Sequence, residues 1–256
     1  MKIVIPMAGR GSRFLDAANS NPEYKKPKPL IKILGKPMIV WAIESLARFE
    51  VKGGNLIFIW RQDHQEEFKI AEKLKELFGL EIKIVLLDQV TRGALETVLK
   101  AKTYISNDED LIISDSDHFF DSISLHKAVL NKDSKTFGII PVFRPPDEEV
   151  KWSYTLFNKD YQAIAVGEKD LDLAAGGAYA NIGAYYFSSG KLFIKEAQDL
   201  INQGEMYGAP GKQEFYVAPL YQRLIKKGYK VMVAVTPNVW GLGTPKDVEY
   251  FERNFK

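Results

Sequence analysis

Short apolar runs alternate along the first half of the chain with longer stretches whose apolar positions recur at helical spacing. Lys2–Met7, Asn55–Trp60, Lys83–Leu87 and Asp110–Ser114 are rich in Ile, Val, Leu and Phe. Near-continuous apolar runs of this length predict strands covered on both faces, the habit of a parallel sheet. Between them, Met38–Phe49 and Gln65–Phe78 gather apolar residues on one helical face, the second with Lys and Glu on the other face. Ala94–Tyr104 continues as a helix after Gly93. Strand alternating with helix predicts an α/β fold with a largely parallel sheet.

The second half is more mixed. Thr136–Phe143, Ser153–Phe157, Ala163–Gly167, Ala184–Phe187 and Val231–Val235 read as strands. Ser189–Asn202 and Glu214–Lys227 read as helices, the latter interrupted near Pro219. Thr244-Pro245 offers an N-cap followed by proline at the first helical position, so a last helix starts there. Arg144-Pro145-Pro146-Asp147 marks a loop, and Ala174–Ala178 a mobile one. No internal repeat is present. A soft boundary near residue 120 divides a single domain into two lobes, 1–120 and 121–256.

The chain has 256 residues, 46% hydrophobic and 27% charged, which excludes disordered and fibrous classes. It has no cysteine, so thiolate metal sites, iron–sulfur clusters, disulfides and cysteine nucleophiles are excluded. Met1-Lys2 leads into an apolar run that stops at Gly9, too short for a secretory leader, and no apolar stretch approaches a membrane span. The expected compartment is the cytoplasm, with no membrane partner. The formal net charge is only +2, yet residues 1–40 carry eight Lys or Arg against two acids. A local basic segment in a near-neutral protein points to an anion site rather than to nucleic acid.

That basic segment holds the first candidate chemistry. The opening strand runs into Met7-Ala8-Gly9-Arg10-Gly11-Ser12-Arg13-Phe14. A glycine-rich turn after a buried strand lets backbone N–H groups close around phosphate oxygens, because no Cβ blocks the approach. The turn is neither the dinucleotide fingerprint nor a P-loop: Arg13 and Phe14 stand where the former has its third small residue, and no GK[ST] follows. Further on, prolines bracket Lys28 in Lys25-Lys26-Pro27-Lys28-Pro29-Leu30, holding one ammonium in a defined direction. The fourth strand ends in Asp115-Ser116-Asp117-His118. Carboxylates at the carboxyl end of a parallel strand point into the crevice where α/β sheets bind ligands, and magnesium takes one or two of them plus substrate phosphates.

The combination of MAGRGSRF, KPKPLIKILGKPMI, SDSDH and the later GEKD resembles the sugar-phosphate nucleotidyltransferases, the pyrophosphorylases that make nucleoside-diphosphate sugars. The resemblance spreads over nearly the whole chain and is strongest in residues 3–40 and 89–117. It implies a Rossmann-like three-layer nucleotidyltransferase (GT-A-like) fold with a mostly parallel central sheet. It implies that Met7, Ala8, Gly9, Gly11 and Ser12 cradle a nucleoside triphosphate, that Arg13 binds its outer phosphates and that Lys28 acts at the reacting ones. Gln89 and Gly93 match the contacts to base and ribose, and Asp117 the Mg²⁺ ligand, with Asp115 as a second. Glu168 matches the residue facing the acceptor's polar groups and Lys169 the one facing its phosphate, with Asn181 and Gly183 in the acceptor-pocket strand. The implied partners are a nucleoside triphosphate and a phosphorylated small molecule, with a homodimer left open. The likeness to the capsule-associated branch rests on Gly243-Thr244-Pro245 and Glu214-Phe215-Tyr216-Val217-Ala218-Pro219, and the expected nucleotide is a pyrimidine triphosphate, CTP before UTP or dTTP.

The chain departs from that pattern in four places. Arg10 stands where many relatives have glycine, Asp115 is an additional acid, and Gly241 occupies the place of the second metal aspartate, for which Asp115 or Glu214 could stand in, unless the metal relies on Asp117 and phosphates alone. Lys169 is followed by Asp170 rather than proline, so the acceptor could be a sugar 1-phosphate or a non-sugar phosphate or phosphonate. Two rival readings stand beside it. Asp115-Ser116-Asp117 also fits the DxD of a nucleotide-sugar glycosyltransferase, and a domain without turnover could sense nucleotide alone. The first has no use for Lys28 and the glycine turn, since it expels no pyrophosphate. The three histidines (His64, His118 and His126) form no metal or triad spacing, and His118 reads as an edge residue.

Overall fold

The computed structural model describes residues 1–145 and 151–255; Pro146 and Asp147 of the expected loop lie outside them. Ten strands form one sheet: β1 Lys2–Pro6, β2 Leu56–Arg61, β3 Lys83–Leu87, β4 Leu111–Ser114, β5 Thr136–Phe143, β6 Ser153–Phe157, β7 Ala163–Glu168, β8 Tyr179–Asn181, β9 Ala184–Phe187 and β10 Lys230–Val235. Their order is β7-β6-β8-β5-β9-β4-β1-β2-β3, with β10 also on β5. Strands β3, β2, β1 and β4 are mutually parallel. Antiparallel pairing begins where β9 joins β4 and continues through β5, β8, β6 and β7. The expected α/β architecture with a parallel core is thus present.

The apolar runs split by alternation, since successive strand side chains point to opposite faces. Val4, Ile57, Ile59 and Ile113 pack with the helices Ala94–Leu99, Gly190–Asn202 and Pro219–Lys226. Ile3, Ile5, Phe58, Trp60 and Ile112 pack on the other face with Met38–Glu44, Ile70–Phe78 and Ile123–Leu130. Three layers result, and the strands need no polar face.

A third apolar cluster lies at one end. Phe14, Tyr24, Ile31, Ile33, Met38 and Trp41 pack there with Leu242, Val248 and Phe251 of the helix Pro245–Asn254 and its approach. The Trp41 ring meets Phe119, Phe251 and Phe255 edge-on at 5.3, 5.1 and 5.2 Å. Thr244 caps this helix as expected, its hydroxyl accepting the Asp247 N–H at 3.1 Å.

Several boundaries differ from the periodicity. The helix expected over Gln65–Phe78 breaks at Lys69, which is left-handed at φ 50°, leaving Gln62–Phe68 and Ile70–Phe78. Gln65 Oε1 takes the Ala71 N–H at 2.8 Å and so caps the second piece. The helix expected from Glu214 starts only at Pro219, where the missing N–H costs nothing. Glu214 instead forms a bridge with Tyr207. Leu171–Ala175, partly inside the run expected to be mobile, is a short helix. His118–Phe120 pairs with Val239–Gly241, a contact across the length of the chain that three-residue strands give no periodic sign of.

Candidate active site

The carboxyl ends of β1 and β4 open on one cavity of about 420 Å³. Its wall is the turn Met7–Ser12, Lys28, Gly93 and the pair Asp115 and Asp117. Lys28 sits on a single turn bracketed by Pro27 and Pro29, and its Nζ donates to Asp117 Oδ2 at 2.6 Å.

The two carboxylates have different environments. Burial opposes ionisation of Asp117, but the charge and hydrogen bond of Lys28 outweigh it and hold the group below its ordinary range. Burial, then the neighbouring Asp117, pushes Asp115 up to about 8, with Lys28 partly offsetting. The Asp115 N–H donates to Gly183 O at 2.9 Å. A Cβ at Gly183, which is left-handed at φ 88°, would lie 2.7 Å from Asp115 Oδ2. Gly183 therefore makes room for that carboxylate.

His118 is buried, its Nε2 3.2 Å from Ser114 Oγ, and burial pushes it down to about 4. It is a buried imidazole within the small two-stranded sheet of His118–Phe120 with Val239–Gly241.

Gly93 is a second obligatory glycine. The Phe215 N–H donates to Arg92 O at 2.8 Å, and the Leu95 N–H donates to Phe215 O at 2.9 Å. A Cβ at Gly93 would stand 2.5 Å from Phe215 O. This close approach docks the 89–94 loop on the 214–218 segment and brings Glu214 to the cavity wall.

Glu168, Lys169 and Asn181 lie on an adjoining patch rather than on the cavity wall. In β7 and β6, Glu168 is paired with Ser153. The β6–β8 register, which pairs Ala180 with Tyr154, brings Asn181 onto the same row. Paired residues share a sheet face. The Thr155 hydroxyl donates to Asn181 Oδ1 at 2.6 Å. Asn181 Nδ2 is buried and has no hydrogen-bond partner among the described residues. Burial raises Glu168. Tyr185 is raised well above its ordinary value by burial and by the charges of Asp115 and Glu168, so this patch abuts the acidic side of the cavity.

Arg13 and Gln89 are exposed and do not line the cavity, whereas Arg10, Thr91 and Glu214 do. Gly241 faces Trp152, 3.2 Å from a Cβ built on it, and the carboxylate carbon of Asp247 at 3.9 Å. Among the described residues no three His, Asp or Glu gather tightly enough to hold a metal by themselves. The Asp115 and Asp117 pair suits a hard divalent ion whose remaining oxygens come from phosphates, so the donor set fits Mg²⁺ with substrate present.

Residues 2–209 match the model of the family described as nucleotidyl transferase. Among solved structures, the chain is similar to a nucleoside-diphosphate-sugar pyrophosphorylase from Vibrio cholerae RC9, with 25% identity and a TM-score of 0.76 over 98% of this chain and 100% of that one. It shares its fold with a protein assigned as a glucose-1-phosphate thymidylyltransferase from Bacillus anthracis, at 16% identity and TM-score 0.74, covering 100% and 96% of the two chains. It also shares it with the inositol-1-phosphate CTP transferase from T. maritima, at 14% and 0.71, covering 99% and 96%.

Proposed function

The chain belongs to the nucleotidyl transferase family, and from that premise we propose that it joins a nucleoside triphosphate, CTP in preference, to a phosphorylated small molecule and releases pyrophosphate. The observation that carries the reading is the meeting of the glycine turn, Lys28 and the Asp115–Asp117 pair around one cavity. A phosphate oxygen of the acceptor forms the new bond to the α-phosphorus, and the bond from that phosphorus to the bridging oxygen breaks, leaving pyrophosphate. The acceptor phosphate is a nucleophile at neutral pH, so no general base is required. The chain's work is to align the reactants and to stabilise charge on the leaving group.

In this assignment the turn Met7–Ser12 holds the triphosphate and Lys28 meets the reacting phosphates. Arg10, which lines the cavity, shares with Arg13 the charge of the outer phosphates. Gln89 and Gly93 serve base and ribose, and residues 1–120 form the nucleotide lobe. Residues 121–256 form the acceptor lobe, with Glu168, Lys169, Asn181 and Gly183 at its pocket. Asp115 and Asp117 would hold Mg²⁺, which supplies charge neutralisation at the phosphates. The absence of the second metal aspartate at 241 is then met by Asp115. Cytoplasmic synthesis of a capsule or cell-envelope precursor is the role that suits such a product. No helix among the described residues is long and apolar enough to cross a membrane.

The glycosyltransferase reading leaves Lys28 and the turn without a task, and the sensor reading leaves the Lys28–Asp117 arrangement without one. The deciding experiment measures pyrophosphate release with Mg²⁺, testing CTP, UTP, dTTP, GTP and ATP against sugar 1-phosphates and small phosphate or phosphonate acceptors. Release that requires one nucleotide and one acceptor together is the expected result. Nucleotide binding with no release across the panel would overturn the proposal.

A further inference from the structure

Lysine seldom adopts a left-handed backbone, yet Lys169 does, with φ of 51°. Its N–H donates to Trp152 O at 3.0 Å. The next residue, Asp170, caps the helix Leu171–Ala175 by accepting the Leu173 N–H at 3.0 Å. The chain therefore turns sharply at the end of β7, and the Lys169 side chain reaches the 214–218 segment. There its ammonium donates to the Tyr216 hydroxyl at 2.8 Å and lies 4.4 Å from the ring centre. Glu168 Oε1 is 3.4 Å from the same ammonium.

These two partners act differently on the cation. Glu168 is an anion within ion-pair distance and partly offsets the charge of the ammonium. The tyrosine hydroxyl is neutral, so it fixes the ammonium in place without cancelling its charge. Tyr216 is itself held firmly, because the preceding residue, Phe215, is bonded through its backbone to Arg92 and Leu95. Lys169 keeps 37% of its side chain exposed while Glu168 keeps 7%, so the lysine's free side is the one open to a ligand.

We infer that Tyr216 is a positioning residue that shares the Lys169 ammonium with Glu168 and holds it oriented toward the acceptor's phosphate. The inference rests on the transferase reading above. The left-handed bend at Lys169 lies where the side chain turns from the strand end to Tyr216. Although burial lowers Lys169, the hydrogen bond to Tyr216 and the charge of Glu168 more than offset it, and the ammonium is raised above its ordinary value. Glu214 also acts on Tyr216, and together with burial and Glu168 it disfavours the phenolate.

Tyr216→Phe keeps the ring and removes only the hydroxyl. In the full-length protein it should raise KM for the acceptor about tenfold, leaving KM for the nucleotide within about twofold. Because Tyr216 acts through Lys169, the Lys169→Ala and Lys169→Ala/Tyr216→Phe variants should be equally impaired. In the free protein, NMR of the Lys169 ammonium should report a titration moved to lower pH by Tyr216→Phe. An unmoved titration, an unchanged acceptor KM or additive losses in the double variant would each overturn the inference while turnover by the parent persists. A parent that releases no pyrophosphate with any acceptor overturns the transferase reading, and the positioning role falls with it.

Discussion

The Lys28 ammonium lies 2.6 Å from Asp117 Oδ2, a contact that spans 89 residues of sequence. Each is the other's counterion, and each side chain is about one-quarter exposed, 27% and 26%. A pair this accessible can exchange partners, and the proposed transfer requires it to: phosphates would draw the lysine and a divalent ion the aspartate. Lys28→Ala should lower pyrophosphate release about 10²–10³-fold, the usual effect of removing one donor to a developing charge. The circular dichroism spectrum and melting temperature should stay near those of the parent. Turnover within a few-fold of the parent removes Lys28 from the reacting phosphates.

The carboxylates are tested through metal binding rather than rate. Asp117→Asn should weaken the apparent affinity for Mn²⁺ or Mg²⁺ in the presence of nucleotide, read by calorimetry. Asp115→Asn should do the same if it takes the place of the acid absent at Gly241. An Asp115→Asn protein whose metal titration matches the parent would reduce Asp115 to a contact of Gly183.

Gly93 should tolerate no side chain. Alanine there meets Phe215 O at 2.5 Å in a backbone with φ of 143°. Gly93→Ala should cost about 2–3 kcal/mol in urea unfolding, from strain plus the loss of the contact between 92–95 and Phe215. The surviving folded fraction should bind nucleotide more weakly, because the same shift moves Glu214. A variant with unchanged stability and unchanged nucleotide affinity would mean that the 214–218 segment simply moves aside.

Acid sensitivity has a separate source at the start of β5. The Asp133 carboxylate accepts from Lys230 Nζ at 2.7 Å, from the Thr136 hydroxyl at 2.8 Å and from the Lys135 N–H at 3.0 Å. These contacts, the Lys230 bond first, bring it down to about 2. The folded value lies below the unfolded one near 3.9, so the charge contributes stability above about pH 4 and loses it as the pH falls toward 2. Asp133→Asn should therefore melt below the parent at pH 7, with the gap closing near pH 2.5 and shrinking in high salt. A gap that widens on acidification would contradict the assignment.

The wall of the cavity is legible in the sequence because its signals are local. The glycine turn, the prolines around Lys28 and the acids at the end of β4 each lie within a few residues of one another, and the fold only had to bring three short motifs together. Tyr216 was hidden because the apolar residues around it mimic helical spacing, so Glu214–Pro219 reads as a helix start. Only pairing with Arg92 and Leu95 reveals it as extended. Asn181 and Ser153 share a row with Glu168 by virtue of register across three strands, and no local pattern encodes that. Arg10 and Arg13 looked alike in sequence; the short helix Ser12–Asp16 turns the second away from the cavity wall and leaves the first on it.

The third apolar cluster sets a timetable for the protein's synthesis. The 7–12 turn and Lys28 are made before residues 242–251, so Phe14, Ile31 and Trp41 wait for Leu242, Val248 and Phe251 before they are enclosed. Translation delivers the beginning of a chain first, and contacts between distant residues are the slow ones to form. A nascent chain that has not reached residue 242 therefore has its glycine turn without the packed wall behind it.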